Sequence, residues 1–223
     1  MTICIAALAE DGARAVLVSD QLSTLQFSVG VESPDIPKIH LVGKDAAILT
    51  AGKLRESHEI VRFARQAWLA NSSGEFSEVV RKTYSDFRNM KAEQAYLEPL
   101  GMTLERFERN QKELQPEFVG RLSERLAAFD LHVHLITVSH SDGACRITGM
   151  VKPSELHDAT SSGYVAIGDG AEVAIYAMFD MGYKKSMSLA DVTAIALAAK
   201  KKSEKVPSVG AATTVIEFPR VDP

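Results

Sequence analysis

The sequence has little that would hold a protein together by means other than packing. It contains only two cysteines, Cys4 and Cys145, and their spacing matches neither a disulfide framework nor a zinc site. With 223 residues, 46% of them hydrophobic, the chain is long enough to bury roughly 70% of its unfolded surface. We therefore expect a reduced protein with one domain over residues 1–223 and no need for a metal or cofactor.

Long apolar segments and targeting signals are also missing. No apolar run approaches the roughly 18 residues of a membrane span. The N-terminus lacks a basic region followed by an apolar stretch and a small-residue cleavage site, which together mark a secretion signal. These absences lead us to expect a cytoplasmic protein without a membrane partner.

Positive charge is scarce as well. The formal net charge is -4, and the one basic cluster is Lys200 to Lys202. Nucleic-acid-binding proteins usually carry an extended basic surface, so nucleic acid is not an expected partner. We interpret the lysine triplet as the solvated end of a helix, where cations complement the helix dipole.

Two motifs that often indicate cofactor or metal binding are incomplete. His132 and His134 lie on one face of a predicted strand, but His140 is roughly 20 Å further along it, so a third ligand is missing. The stretch Gly168-Asp169-Gly170 lacks the full glycine pattern of a dinucleotide site and predicts a tight turn from a strand into a helix. The sequence therefore predicts neither a metal site nor a cofactor.

What the sequence does have is an apolar strand at its very start. Residues 3–8 are apolar at every position, which is typical of a strand covered on both faces. Thr2 precedes this strand and is small enough for an aminopeptidase to remove Met1. A threonine hydroxyl with its own α-amine as the neighbouring base is one form of activated nucleophile. The alternative is that Thr2 is an ordinary strand residue behind a retained Met1.

A first hairpin brings Asp20 towards Thr2. With a turn at residues 11–12, antiparallel pairing gives partner numbers that sum to about 23, so Ile3 pairs with Asp20. A slip of one residue would turn the Asp20 side chain to the other face. Asp20 is thus predicted close to Thr2, although it also suits a strand end that hydrogen-bonds into the following turn.

A second hairpin has a charged residue and a glycine at one end. Strands over 38–43 and 47–51 pair so that Lys38 lies opposite Ala51, next to Gly52. The simpler interpretation is a solvated edge lysine and a glycine that turns the chain into a helix.

The remaining segments alternate between groups of strands and groups of helices. We predict strands over 27–32, 131–140, 144–151, 164–167 and 212–218, and helices over 53–71, 76–97, from Thr103 with a restart at Pro116, after Gly170, and from Ser188 to about Lys202. Strand hairpins that are segregated from helices favour an α+β fold, a four-layer αββα sandwich of two antiparallel sheets flanked by helices.

The ordered set resembles the N-terminal nucleophile hydrolases, in particular proteasome β-type subunits and their bacterial relatives. The matching residues are Thr2 at the head of the first strand, Asp20 with Thr24, Lys38, Gly52 fourteen residues later, and the turn over 166–170 followed by Ala174. The resemblance implies that Thr2 is the nucleophile and that Asp20, Lys38, Gly52 and Ser208 are further catalytic residues. Gly52 would stabilise the oxyanion through its backbone N–H.

Two positions depart from that family. Asp169 stands where the family usually has a serine between two glycines, and Lys205 stands where an aspartate would precede Ser208 by three residues. The proton network around the terminal amine is therefore expected to differ.

The resemblance implies a threonine-type peptidase with peptide or protein substrates, a homo-oligomeric ring, and an ATP-dependent unfoldase as a candidate partner. Two alternatives stay open at this point. One is a non-catalytic scaffold subunit, which a retained Met1 would favour. The other is an amidase or transamidase with a specialised substrate, which the two departures would favour.

Overall fold

The computed structural model describes residues 2–24, 30–33, 35–70, 74–152 and 155–219. In those ranges the strands are β1 (Cys4–Ala9), β2 (Arg14–Asp20), β3 (Leu22–Thr24), β4 (Gly30–Glu32), β5 (Ile39–Val42), β6 (Ala46–Gly52), β7 (Val133–Ser141), β8 (Ala144–Lys152), β9 (Glu155–Asp158), β10 (Tyr164–Ile167) and β11 (Thr213–Phe218). The helices are α1 (Leu54–Ala70), α2 (Phe76–Tyr96), α3 (Leu104–Asn110), α4 (Pro116–Ala128), α5 (Ala171–Asp180) and α6 (Leu189–Ser203), and short 3₁₀ turns cover Glu10–Gly12, Glu98–Leu100 and Gln111–Glu113.

The first strand is central to its sheet and buried on both faces. The sheet has the order β10-β1-β2-β11, and each neighbouring pair is antiparallel. Every residue of β1 is buried. The Cys4 side packs towards the second sheet, and the Ile3 side packs towards helices α5 and α6. The continuous apolar run predicted this arrangement correctly.

The second sheet has the order β5-β6-β7-β8-β9, again antiparallel throughout. One of its faces packs on the first sheet through residues such as Leu49 and Ile136, which meet Leu17 in one apolar cluster. Its other face is covered by α1 and α2, where Ile60 and Tyr84 are buried. The layers are therefore helix, sheet, sheet, helix, and the predicted αββα sandwich is confirmed.

Helices α3 and α4 lie outside these four layers. Thr103 caps α3 because its side chain accepts a hydrogen bond from the Arg106 amide, and α4 begins at Pro116, as predicted. Leu122 of α4 packs with Leu97 and Phe107 in a small separate core. The apolar stripe of this helix is therefore used inside the chain.

A few predicted features fall wholly or partly outside the described residues. Strand β4 covers only the end of the segment predicted over 27–32, because residues 25–29 lie outside the described part of the chain. Met1 and the side chain of Thr24 lie outside it as well.

Strand β7 begins at Val133, two residues later than predicted, because His132 has a left-handed backbone with φ 53°. His132 and His134 consequently do not share a strand face.

Candidate active site

Thr2 lies beside Asp20, in the register that the first hairpin predicted. The amide of Asp20 donates to the carbonyl oxygen of Ile3 at 3.2 Å. The Thr2 hydroxyl donates to Asp20 Oδ1, so the two side chains meet on one face. Asp20 also hydrogen-bonds into the following turn, since its Oδ2 accepts from the Leu22 amide at 3.2 Å. Both interpretations of Asp20 are therefore correct together.

The Asp20 carboxylate is held on every side. Its side chain has no exposed surface. Oδ1 accepts from the Ile3 amide at 2.9 Å and from Lys38 Nζ at 2.7 Å. Oδ2 accepts from the amides of Leu22 and Gly210, the latter at 3.0 Å. These hydrogen bonds offset the cost of burying a carboxylate and fix its orientation.

Lys38 completes a buried triad with Thr2 and Asp20. Its ammonium donates to Thr2 Oγ1, to Asp20 Oδ1 and to the carbonyl oxygen of Leu22 at 2.5 Å, so three acceptors match its three N–H bonds. Only 8% of the Lys38 side chain is exposed. The alternative interpretation of Lys38 as a solvated edge residue is therefore wrong. A positive charge beside the Thr2 hydroxyl stabilises the deprotonated, nucleophilic form of that hydroxyl.

Gly52 ends the strand that pairs with the Lys38 segment. The predicted partner of Lys38 was wrong by one residue, because the Thr50 amide donates to the Lys38 carbonyl at 2.9 Å. Gly52 has φ 109° and pairs with Val133. A Cβ atom there would lie 2.0 Å from the carbonyl oxygen of His132. Only glycine fits this backbone, which keeps the Gly52 peptide at the same end of the β5/β6 hairpin as Lys38.

We predict that Gly52→Ala destabilises the protein much more than Gly43→Ala. Both glycines have positive φ, but a Cβ at Gly43 would meet nothing within 4 Å. We expect a loss of about 1 kcal/mol at Gly43 from backbone strain alone, and of about 3 kcal/mol or more at Gly52, where a backbone clash is added. Urea unfolding of the two variants measures the difference, and equal losses would contradict the role of the clash.

The turn into α5 packs against the backbone of Thr2. Gly168 has φ 96°, and a Cβ atom there would lie 2.3 Å from the Thr2 carbonyl oxygen. The Gly170 amide donates to that same oxygen at 3.4 Å. Between the two glycines, the exposed Asp169 accepts a hydrogen bond from Ser208 Oγ at 2.6 Å. Asp169, which departs from the family pattern, is thus hydrogen-bonded to Ser208, which matches it.

Burial favours the neutral form of two further titratable side chains, Cys4 and His134. Burial raises the pKa of the Cys4 thiol to about 12, and the Lys38 charge lowers it only in part. Burial also lowers the pKa of His134, which lies opposite Ala51 in the β6/β7 pairing. Since a thiol is nucleophilic only as the thiolate, Cys4 does not compete with the Thr2 hydroxyl.

Comparison with solved structures gives the same fold. Anbu (ancestral beta-subunit) from Yersinia bercovieri matches with TM-score 0.69 and 14% identity over 97% of this chain and 81% of that chain. HslV from Trypanosoma brucei matches with TM-score 0.64 and 14% identity over 96% and 98%. An Anbu (Gly-1) mutant from Hyphomicrobium sp. strain MC1 gives 0.67 and 14% over 98% and 81%.

The chain has the proteasome-like fold of the N-terminal nucleophile hydrolases. At the level of sequence, no protein-family model matches it, and neither does any curated protein. Across the part of the chain that the structure describes, no helix is long and apolar enough to cross a membrane.

On this N-terminal nucleophile hydrolase fold, three of the five predicted site residues are in direct contact and two are not. Thr2, Asp20 and Lys38 are joined directly by hydrogen bonds. Ser208 contacts Asp169 instead of these three, and Gly52 is linked to Lys38 through the pairing of β5 with β6. The fold therefore brings the polar triad into direct contact, while the other two positions lie on separate neighbouring segments.

The burial of Lys200 was not predicted from the sequence. Lys200 is 1% exposed, so its interpretation as part of a solvated helix end is wrong, although Lys201 and Lys202 are exposed as expected. A signal was present in the sequence. The inward face of α6 recurs at Val192 and Ala196, and the next position at helical spacing is Lys200.

Proposed function

We propose that this protein is an N-terminal threonine hydrolase that cleaves amide bonds through an acyl-enzyme after removal of Met1. The observation that carries the proposal is the buried, fully hydrogen-bonded triad of Thr2, Asp20 and Lys38. A buried ion pair adds little net stability, because the cost of desolvating both charges offsets their attraction. A hydroxyl between a carboxylate and an ammonium has both the orientation and the field that a nucleophile needs.

The first half of the reaction forms an ester. Thr2 Oγ1 attacks the carbonyl carbon of the substrate while its proton passes to the freed α-amine, whose reference pKa of about 7.7 to 8.0 suits a general base near neutral pH. The carbonyl π bond opens to an oxyanion that accepts a hydrogen bond from the Gly52 N–H. The carbon–nitrogen bond then breaks, and the amine leaves with the proton from the α-ammonium.

The second half releases the acyl group. The α-amine takes a proton from water, and the resulting hydroxide oxygen adds to the ester carbonyl. The ester carbon–oxygen bond breaks, the proton returns to Thr2 Oγ1, and a carboxylic acid leaves. Lys38 keeps positive charge beside Oγ1 in both halves, and Asp20 keeps the ammonium in position.

Asp169 places a carboxylate at the edge of this site, where the family usually has a serine. Asp169 accepts from Ser208 and stands between Gly168 and Gly170, which both contact the Thr2 carbonyl oxygen, so it adds negative charge near Thr2. This feature favours the second candidate, an amidase or transamidase whose small substrate carries a positive charge. Hydrolysis of peptides but of no small amide would count against that candidate.

We also propose that the protein assembles into a homo-oligomeric ring and acts on peptides or proteins. Anbu is described as an ancestral beta-subunit. On α5 of this chain, Tyr176 and Phe179 expose 70% and 76% of their surface, which suits a contact between copies. An ATP-dependent unfoldase stays a candidate partner on the family resemblance alone.

We predict that the chain, expressed from its own start codon, lacks one methionine and reacts with a peptidyl β-lactone at Thr2. Thr2 Oγ1 would add to the lactone carbonyl and the ring ester bond would open, so the adduct carries the whole mass of the lactone. Intact-mass and peptide-mapping measurements test both statements. The matched control is the same chain with an uncleaved N-terminal extension, in which the α-amine is tied up in a peptide bond and labelling should be lost. A retained Met1 without any adduct would favour the scaffold alternative.

A further inference from the structure

Lys200 is a buried ammonium at the end of α6 that none of the proposed chemical steps uses. Its Nζ donates to Glu204 Oε1 at 2.7 Å, to the Gly210 carbonyl at 2.8 Å and to the Ala211 carbonyl at 2.6 Å. All three of its N–H bonds are therefore satisfied while the side chain is 2% exposed. Two of the three acceptors are backbone carbonyls in the last part of the loop between α6 and β11.

Glu32 holds the other side of that same loop. Its Oε1 accepts from the Ala211 amide at 2.6 Å and from the Ala212 amide at 3.1 Å. The two peptide groups that link residues 210, 211 and 212 thus have their oxygens on the Lys200 ammonium and their N–H groups on a carboxylate. Each peptide dipole lies between opposite charges in the favourable direction, and hydrogen bonds aligned in this way strengthen one another. We call residues 210–212 the bridge segment.

The bridge segment is in direct contact with the triad. The Gly210 amide donates to Asp20 Oδ2 at 3.0 Å. The backbone approaches so closely that a Cβ atom at Gly210 would lie 2.5 Å from Leu22 Cβ. Leu22 in turn accepts from Lys38 Nζ through its carbonyl. A displacement of the bridge segment would therefore reach two of the groups that orient Lys38 and Thr2.

We propose that Lys200 and Glu32 are positioning residues, which fix the bridge segment and through it the Asp20 carboxylate beside the nucleophile. The inference rests on the proposed function for its catalytic consequence. Neither side chain touches Thr2, so their loss should slow the chemical step and leave substrate binding unchanged. A misplacement of about 1 Å at a catalytic group can slow a reaction by about 100-fold.

Lys200→Met and Glu32→Ala test the proposal from opposite sides of the bridge segment. In saturation kinetics with the β-lactone, we expect the maximal rate of Thr2 acylation to fall by about 10 to 100-fold in each variant, with half-saturation unchanged. Lys201→Met is the matched control, because Lys201 donates to Glu204 at 2.5 Å and, among the described residues, contacts no carbonyl of the bridge segment. Its acylation rate should stay within about twofold of the wild type.

The double variant separates positioning from general damage. Since both residues act on the same two peptide groups, the losses in rate should be far from additive. Unchanged acylation in a folded Lys200→Met variant would overturn the proposal, and if that variant does not fold, Glu32→Ala on the exposed side decides. Hydrogen exchange of the Gly210 amide gives a readout that does not need catalysis, and it should quicken in both single variants but not in Lys201→Met. If the β-lactone does not label the wild type but the exchange pattern is as expected, the hydrolase proposal is refuted and the positioning role is retained. If the wild type is labelled but the variants show unchanged acylation and exchange, the positioning role is refuted and the hydrolase proposal is retained.

Discussion

Thr2→Ala is expected to abolish amide hydrolysis while the protein keeps its fold. The change removes the hydroxyl that contacts both the Lys38 ammonium and the Asp20 carboxylate, but the 2.7 Å contact between those two charges stays in place. Loss of a nucleophile typically lowers kcat by about 10³-fold or more, because the steps of covalent catalysis have no substitute. Turnover of a fluorogenic peptide or amide, with the melting temperature measured alongside, checks both parts.

Thr2→Ser is the matched control for that experiment. Alanine and serine are both small, so processing of Met1 should be the same in the two variants. Serine keeps the oxygen between Lys38 and Asp20 and lacks only the methyl group. We expect it to retain measurable activity, within about 100-fold of the wild type. If Thr2→Ala hydrolyses the substrate as fast as Thr2→Ser does, another group is the nucleophile.

Asp20→Asn should be the most destabilising polar substitution in the site. The amide would leave the Lys38 ammonium, which is 8% exposed, without its counter-ion. It would also present an NH₂ group to backbone amides that now donate to the carboxylate. Removing one partner of a buried ion pair costs about 3–5 kcal/mol, and we expect a loss of that size in the free energy of unfolding measured in urea.

Addition of Lys38→Met to Asp20→Asn distinguishes stability from catalysis. With both charges gone, no ion is buried without a partner, so the double variant should regain part of the stability that Asp20→Asn loses. Activity should stay absent, because the hydroxyl of Thr2 would have neither the orienting carboxylate nor the neighbouring ammonium. If the double variant loses the sum of the single losses, the two charges do not interact as the 2.7 Å contact indicates.

The triad was predictable because short hairpins fix it. The first turn uses Asp11 and Gly12 with φ 58° and 97°, and a turn of defined length sets the pairing of the strands on both sides of it. The register predicted for the second hairpin was wrong by one residue, because the centre of its turn differs from the predicted one. Val42 pairs with Ala46, so the loop has three residues and is centred on Lys44 instead of between two positions.

The support behind the triad could not be predicted from local patterns. The Gly210 amide and the Asp20 carboxylate that accepts from it are 190 residues apart, and no periodicity connects a loop to a strand end over such a distance. Lys200 was misinterpreted for a different reason. Lysine is almost never fully buried, so the residue type favoured an exposed position. The helical spacing, which places Lys200 on the inward face, was the correct signal.

The burial of Thr2 has a consequence for the order of events during synthesis. The sheet that contains β1 is completed by β10, which pairs with β1, and by β11, which pairs with β2; these strands begin at Tyr164 and Thr213. Those strands are translated last, and at about 5–20 residues per second a ribosome needs on the order of 10 to 40 s to reach them. For that time the start of the chain has no complete sheet around it, so an aminopeptidase can reach Met1. In the folded protein Thr2 is 1% exposed, so we expect Met1 to be removed from the nascent chain more readily than from the folded one.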